Sequence, residues 1–300
     1  MKKLLLLAFW GICLPVSVWA QANKIDESAL ALANPSSLNS MGLRYLNGTN
    51  TKQDYDMAVV YFRVAANKGY ATAQNNLGYC YSKGWGVTQN YAEAVKWYRK
   101  AAEQGDKTAQ YSLAGCYGTG NGVTQDYAEA AKWYMKSAEQ GYASAQTILG
   151  MYYANGLGVT KNAAEAVKWY KKAAEQGEET AQAELGGCYC LGIGVTKDWV
   201  EGVKWLKKAA EKENVDGMSM LGNAYYLGEG VTQDYAEAVK WFKKAAEQGE
   251  VGAQAMLGIC YYNGQGVTKN TQEGIRLIKD AASKGFEAAK QKLKELNISE

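Results

Sequence analysis

Apolar residues return along this chain on two periods at once. The short period is helical: Ala73, Leu77, Tyr81 and Gly84 are spaced at four, four and three residues, one stripe of a helix that stops at a glycine. The long period is 36 residues. Trp97, Trp133, Trp169, Trp205 and Trp241 form one column, with Tyr61 and Leu277 in its outer places. Leu77, Leu113, Leu149, Leu185, Leu221, Leu257 and Leu293 form a second, and Tyr45, Tyr81, Tyr117, Tyr153, Tyr189, Tyr225 and Tyr261 a third. After the first stripe, Gly84-Trp85-Gly86-Val87 supplies a tight turn whose two glycines are free to take positive φ. Asn90 follows as a helix N-cap, with Glu93 three residues on. In such a capping box the Asn side chain accepts from an orphan amide and the Glu reaches back to the cap amide. The device recurs as Asp126/Glu129, Asn162/Glu165, Asp198/Glu201, Asp234/Glu237 and Asn270/Glu273. The second helix presents Ala94, Trp97 and Ala101 on one face and stops at Gly105, the usual left-handed residue past a helix end. Glu213 replaces that glycine between repeats 5 and 6, which predicts a different joint there. Each repeat thus reads as helix A, turn, helix B. The prediction is an all-α fold, a right-handed α/α solenoid of seven 36-residue helix-turn-helix repeats plus a C-terminal capping helix.

The ends read differently from the middle. Lys2 and Lys3 precede the apolar run 4–10, and Val18-Trp19-Ala20 places small residues where a signal peptidase cuts. The expected organisation is a signal peptide at 1–20, an N-terminal capping segment at 21–36, the repeat array at 37–288, and a cap helix and tail at 289–300. Cys13 sits in a poor lipobox, so a lipid anchor is not expected. Asn34-Pro35 suits an N-cap followed by proline at the first helical position. No later apolar run reaches the length of a membrane span. The expected location is therefore periplasmic or secreted, with cleavage after Ala20. The chain carries 33 basic and 30 acidic residues. Removing Lys2 and Lys3 leaves it almost neutral, which argues against nucleic acid as a partner.

The string Ala-Gln-x-x-Leu-Gly-x-x-Tyr-x-x-Gly-x-Gly-Val-x-x-Asp-Tyr-Ala-Glu-Ala-x-Lys-Trp, most complete at 73–97 and 253–267, resembles the Sel1-like repeat, a relative of the tetratricopeptide repeat. Repeat 1 departs from it, with Thr49-Asn50-Thr51 in place of the usual turn. The resemblance implies an α/α superhelix used as an adaptor, and its secreted bacterial members imply envelope biology or host contact. A related branch, the Helicobacter cysteine-rich proteins, suggests the alternative of a weak penicillin-binding or β-lactamase-like activity. That branch bridges its two helices with a cysteine pair, whereas helix B here carries no cysteine.

The residues offer little chemistry. The chain has no histidine, which removes His-based nucleophile systems and His-ligated metals. No Gly-x-x-x-x-Gly-Lys loop occurs, and Gly84-x-Gly86 with its copies reads as an interhelix turn. No catalytic residue, metal or cofactor is assigned, and the chain is read as a non-enzyme and a monomer. Cys80, Cys116, Cys188 and Cys260 share one helix A column. Equivalent columns of stacked helices lie about 10 Å apart, beyond the roughly 7 Å a disulfide spans between Cα atoms. Five free thiols are expected after cleavage, with Cys190 the most accessible. Glu165, Lys168, Lys172 and Glu175 line an outer stripe read as a solvated face.

Binding is expected on the side of helix A opposite the 73/77/81 stripe. Read through the repeats, the candidate residues are Asn75, Tyr79, Tyr111, Gly115, Gly118, Met151, Gly187, Cys190, Asn223, Tyr226, Ile259 and Tyr262. None is charged, and they vary while the core columns barely change. Gly115 and Gly187 lie inside helices, where each costs about 1 kcal/mol against Ala. The expectation is a non-catalytic scaffold holding a protein or peptide along a concave, uncharged helix A groove.

Overall fold

The computed structural model describes residues 30 and 32–299; the expected signal peptide lies outside the described residues. These contain fifteen α-helices and no strand. By its contacts the chain divides into two compact units, one ending at Ser137 and the other beginning at Ala138. The first unit holds α1 Pro35–Asn47, α2 Tyr55–Asn67, α3 Ala71–Lys83, α4 Tyr91–Glu103 and α5 Lys107–Thr119; the boundary falls late in α6 Tyr127–Glu139. The second holds α7 Ala143–Asn155, α8 Ala163–Glu175, α9 Glu179–Leu191, α10 Trp199–Glu211, α11 Val215–Leu227, α12 Tyr235–Glu247, α13 Val251–Asn263, α14 Thr271–Ser283 and α15 Glu287–Glu295. Odd-numbered helices are helix A of each repeat and even-numbered ones helix B. From α1 to α5 and from α7 to α15 each helix packs on the next, and helix A also meets the next helix A where α1 meets α3, α3 meets α5, α9 meets α11 and α11 meets α13. The fold is the all-α repeat class that the 36-residue columns predict.

The tightest packing is inside each hairpin. A Cβ added to Gly78 of α3 would stand 2.8 Å from the ring of Tyr98 on α4. The pairing recurs as Gly42 with Phe62, Gly150 with Tyr170, Gly186 with Leu206, Gly222 with Phe242 and Gly258 with Ile278, the added Cβ falling between 2.5 and 2.8 Å from the partner. Each large side chain therefore lies on bare helix backbone, and Phe62, Leu206, Phe242 and Ile278 are 0 % exposed. This column sits one residue past the tryptophan column. Trp133 and Trp169 are buried, but Trp97, Trp205 and Trp241 are half-buried. A lysine three residues on lies over each indole, Lys172 being 3.9 Å from the Trp169 ring centre. Lys172 thus stays exposed on the outer stripe while lying over the Trp169 ring.

The turns are fixed by backbone bonds. In all seven repeats the N-cap amide of helix B donates to the carbonyl of the tyrosine column, from Asp54 to Tyr45 at 2.9 Å through Asn270 to Tyr261 at 2.9 Å. The cap side chains accept from the amide three residues on, as Asn90 Oδ1 does from Glu93 at 3.0 Å. The returning half of the capping box does not form, because the tyrosine carbonyl already holds the cap amide. The glutamates turn outward instead: Glu165 pairs with Lys168 at 2.8 Å, and Glu129 accepts from the Trp133 indole at 2.9 Å. At the start of the array, Asn34 caps α1 by accepting from Ser36 at 2.8 Å, with Pro35 next to it as expected.

The second glycine of each turn meets two demands. Gly86, Gly194, Gly230 and Gly266 have positive φ, and a Cβ on any of them would overlap the carbonyl that opens helix B of the preceding repeat. Asn50 fills this place in repeat 1 at φ 59, the left-handed region that Asn tolerates best after Gly. The joints between repeats are looser. Around Gly105 and Gly249 nothing lies within 4 Å of an added Cβ, so only φ matters there. Glu213 takes the same conformation at φ 63 and the same amide bonds as its glycine counterparts. The joint between repeats 5 and 6 differs in side chains instead. In repeats 2 to 5 a buried glutamine donates to a carbonyl of the preceding hairpin: Gln74 Nε2 donates to the Ala66 carbonyl at 3.1 Å, and its Oε1 accepts from Gln104 at 2.7 Å. At this joint Lys212 replaces the second glutamine and turns to the Gly177 carbonyl, leaving Gln182 Oε1 without a partner.

Glu213→Gly is expected to raise stability by about 1 kcal/mol in a denaturant titration, since it removes left-handed strain and no packing contact. Gly249→Ala should lose about 1–2 kcal/mol from φ alone, since nothing lies within 4 Å of its added Cβ. Gly194→Ala should lose roughly 3 kcal/mol or more, because steric overlap with the Ala163 carbonyl adds to the strain.

Candidate partner-binding face

The candidate residues divide by burial. Asn75, Gly187 and Cys190 are buried, Tyr79 is exposed, and Tyr111, Gly115, Gly118, Met151, Asn223, Tyr226, Ile259 and Tyr262 are half-buried. They fall in both units, so each unit is described by itself. In the first unit Tyr79 stands edge-on to Trp85 at 5.3 Å between ring centres, and Trp85 stacks on Tyr55 at 5.0 Å. Asn75 is 8 % exposed and its Oδ1 has no partner. Tyr111 meets the Tyr134 ring at 5.6 Å. Gly115 is open, the only group near an added Cβ being the Tyr134 hydroxyl at 3.6 Å.

In the second unit the helix A face carries two clefts. One, of about 300 Å³, lies between α9 and α11, with Ala183, Gly187, Leu191, Glu184, Asp216 and Met220 in its lining. The other, of about 340 Å³, lies between α11 and α15 and includes Asn223, Ala255, Ile259 and Phe286. Ser219 lines both.

Cys190 is not on this face. It is 0 % exposed, and its Sγ occupies the space a side chain would take on Gly202 of α10. The position three residues past the 79 column turns toward helix B of its own hairpin. Tyr226 does the same, its ring 5.2 Å from Tyr235, and Ser82 lies 3.3 Å from the Tyr98 hydroxyl. The open face is rotated the other way, to the columns of Thr180 and Glu184. Those residues vary from repeat to repeat as the candidate columns do, which was the available signal. The rotation also brings charge to a face expected to have none. Partial desolvation by the cleft, then the Asp216 carboxylate, raises the Glu184 carboxyl above its ordinary value.

The five described cysteines are free and buried. Burial pushes the Cys80 thiol up to about 12, and desolvation takes Cys116, Cys188, Cys190 and Cys260 to about 11. Among the described residues no cluster of His, Cys, Asp and Glu could hold a metal ion, and no helix is long and apolar enough to cross a membrane.

Two-helix hairpins repeated at a fixed step define a helical-repeat protein of the solenoid class. The chain belongs to the Sel1 repeat family, whose repeat matches residues 35–70, 71–106, 107–142, 143–178, 180–214, 215–250 and 251–286. It is similar to c5321, a protective antigen present in uropathogenic Escherichia coli strains displaying an SLR fold, with 36 % identity and a TM-score of 0.79 over 94 % of this chain. The match spans 59 % of c5321, so this chain corresponds to part of that protein's length. A Sel1 repeat protein from Oxalobacter formigenes is 35 % identical, with a TM-score of 0.71 over 80 % of this chain and 96 % of the other. The Helicobacter pylori cysteine rich protein B is a weaker likeness, 26 % identical with a TM-score of 0.36 over 44 % of this chain and 96 % of the other, and lends the β-lactamase-like alternative nothing. No curated protein matches the chain in sequence. Sel1-repeat proteins typically act as protein-interaction scaffolds.

Thiol titration tests the burial directly. With burial pushing their pKa values up to about 11–12, all five thiols should react slowly with a disulfide reagent at pH 8 and fast once unfolded. Rapid native labelling of Cys190 would place it back on the open face.

Proposed function

We propose that this chain is a non-catalytic scaffold of the periplasm or cell exterior that holds an extended protein segment along its helix A face. The observation that carries the reading is the pair of clefts on that face in the second unit, joined at Ser219 and opened by small side chains. Family membership supports an interaction role. The signal-like sequence at 1–20 supports export, as does a 36 % identical relative that is a protective antigen.

A protein captured from an envelope extract and then purified supplies the ligand for the test. Gly187→Asp should weaken its affinity at least about tenfold while the helical circular dichroism is kept, since the carboxylate must be desolvated where a ligand backbone lies. Gly115→Asp applies the same test to the first unit. Lys168→Ala, which removes only an exposed ion pair on helix B, should leave affinity within about twofold. Binding that survives both glycine variants and is lost in Lys168→Ala would move the interface to helix B.

A further inference from the structure

The cleft between α9 and α11 combines apolar walls with two unmatched carboxylates. Leu191 is 60 % and Ile193 48 % exposed at its rim, and Leu227, in the column of Leu191 one repeat on, is 56 % exposed. Glu184 and Asp216 line the same cleft, and among the described residues neither makes an ion pair or a hydrogen bond. That is unlike the helix B surface, where Glu165, Glu201 and Glu237 each hold a lysine three residues on.

Gly187 adds an independent observation. Its neighbour Gly186 is required by the hairpin, because a Cβ there would strike Leu206 at 2.8 Å. Gly187 has no such constraint: an added Cβ would meet only the flexible end of Met220, at 3.1 Å. A glycine that weakens the helix without relieving a clash keeps the floor of the cleft open. The chain as a whole is slightly basic, at a formal +3, so this acidic, apolar cleft runs against its overall charge.

We infer that the cleft between α9 and α11 binds an extended basic-apolar peptide segment, one Lys or Arg entering between Glu184 and Asp216 while flanking apolar side chains cover Leu191, Ile193 and Leu227. This rests on the helix A face being the binding face and adds the chemistry of the partner. The long stem of a basic side chain packs along Met220 and the Gly187 backbone while its cation restores the missing counter-charge. The exposed leucines take the alternate residues of an extended strand, and the charge pair sets orientation and selects against acidic segments.

Fluorescence polarisation of the full chain with labelled nine-residue peptides of alternating Leu-Lys, Leu-Gln and Leu-Glu provides the test. The Leu-Lys peptide should bind tightest, and Glu184→Gln with Asp216→Asn should weaken it about tenfold or more. Both substitutions are at exposed positions, and circular dichroism checks the fold. Leu191→Ser should weaken all three peptides alike. Equal binding of the three peptides, or Leu-Lys binding unchanged in the double variant, overturns the basic partner. If binding then still falls in Gly187→Leu, the helix A face reading stands without it. If no peptide binds, or none responds to Gly187→Leu, both readings fail.

Discussion

The fold depends on a bare patch of helix. In six of the seven hairpins a glycine on helix A leaves no room for even a methyl group beneath the ring or branched side chain of helix B. Helices this close bury a phenylalanine or leucine completely, with no gap to fill. Repeat 3 varies the arrangement: Ala114 takes the glycine's place, and the Tyr134 hydroxyl reaches toward Gly115, the next residue. From this contact the rest follows. It holds the tyrosine carbonyl within reach of the helix B cap amide and sets the turn that carries Gly-x-Gly. The turn in turn lies against the start of the preceding helix B. Within each unit a repeat is thus clamped internally by sterics and to its neighbour by backbone contact, the nearest-neighbour coupling expected of repeat arrays.

Much of this was legible because it repeats. Columns 36 residues apart expose helix boundaries, caps and terminating glycines, and Asn90, Gly84 and Gly105 stand where the pattern places them. What stayed hidden was which of two adjacent columns is innermost. Trp97 and Tyr98 stand side by side, and the tryptophan, present in five of the seven repeats, is the more regular of the two columns. Yet Trp97, Trp205 and Trp241 are half outside, while the more variable Phe62, Leu206 and Ile278 are sealed. Variation among apolar side chains at a buried site means interchangeable packing, not exposure. The capping glutamates misled for a similar reason, since sequence shows the partner a side chain could take but not that a backbone carbonyl has already taken it.

The candidate face was legible in part. Ideal helical geometry located the Asn75 and Tyr79 columns but not the rotation set by the close helix B, which turns Cys190 inward and Glu184 outward. A strategy of substituting freely at these positions suits a scaffold. The clamp consumes only one side of helix A, so the other side is free to change from repeat to repeat. Repeats 5 and 6 use that freedom most, with an open glycine floor, exposed leucines and two carboxylates, next to the joint where the glutamine tie is broken.

A double-mutant cycle between Gly150 and Tyr170, followed by denaturant unfolding, tests the clamp most directly. Gly150→Ala should cost about 1–3 kcal/mol against the native ring. It should cost under about 0.5 kcal/mol once Tyr170→Val has withdrawn the ring, giving a coupling above about 0.5 kcal/mol. Costs that add to within about 0.5 kcal/mol would show that Gly150 and Tyr170 do not act on each other, and would contradict the clamp as the basis of the fold.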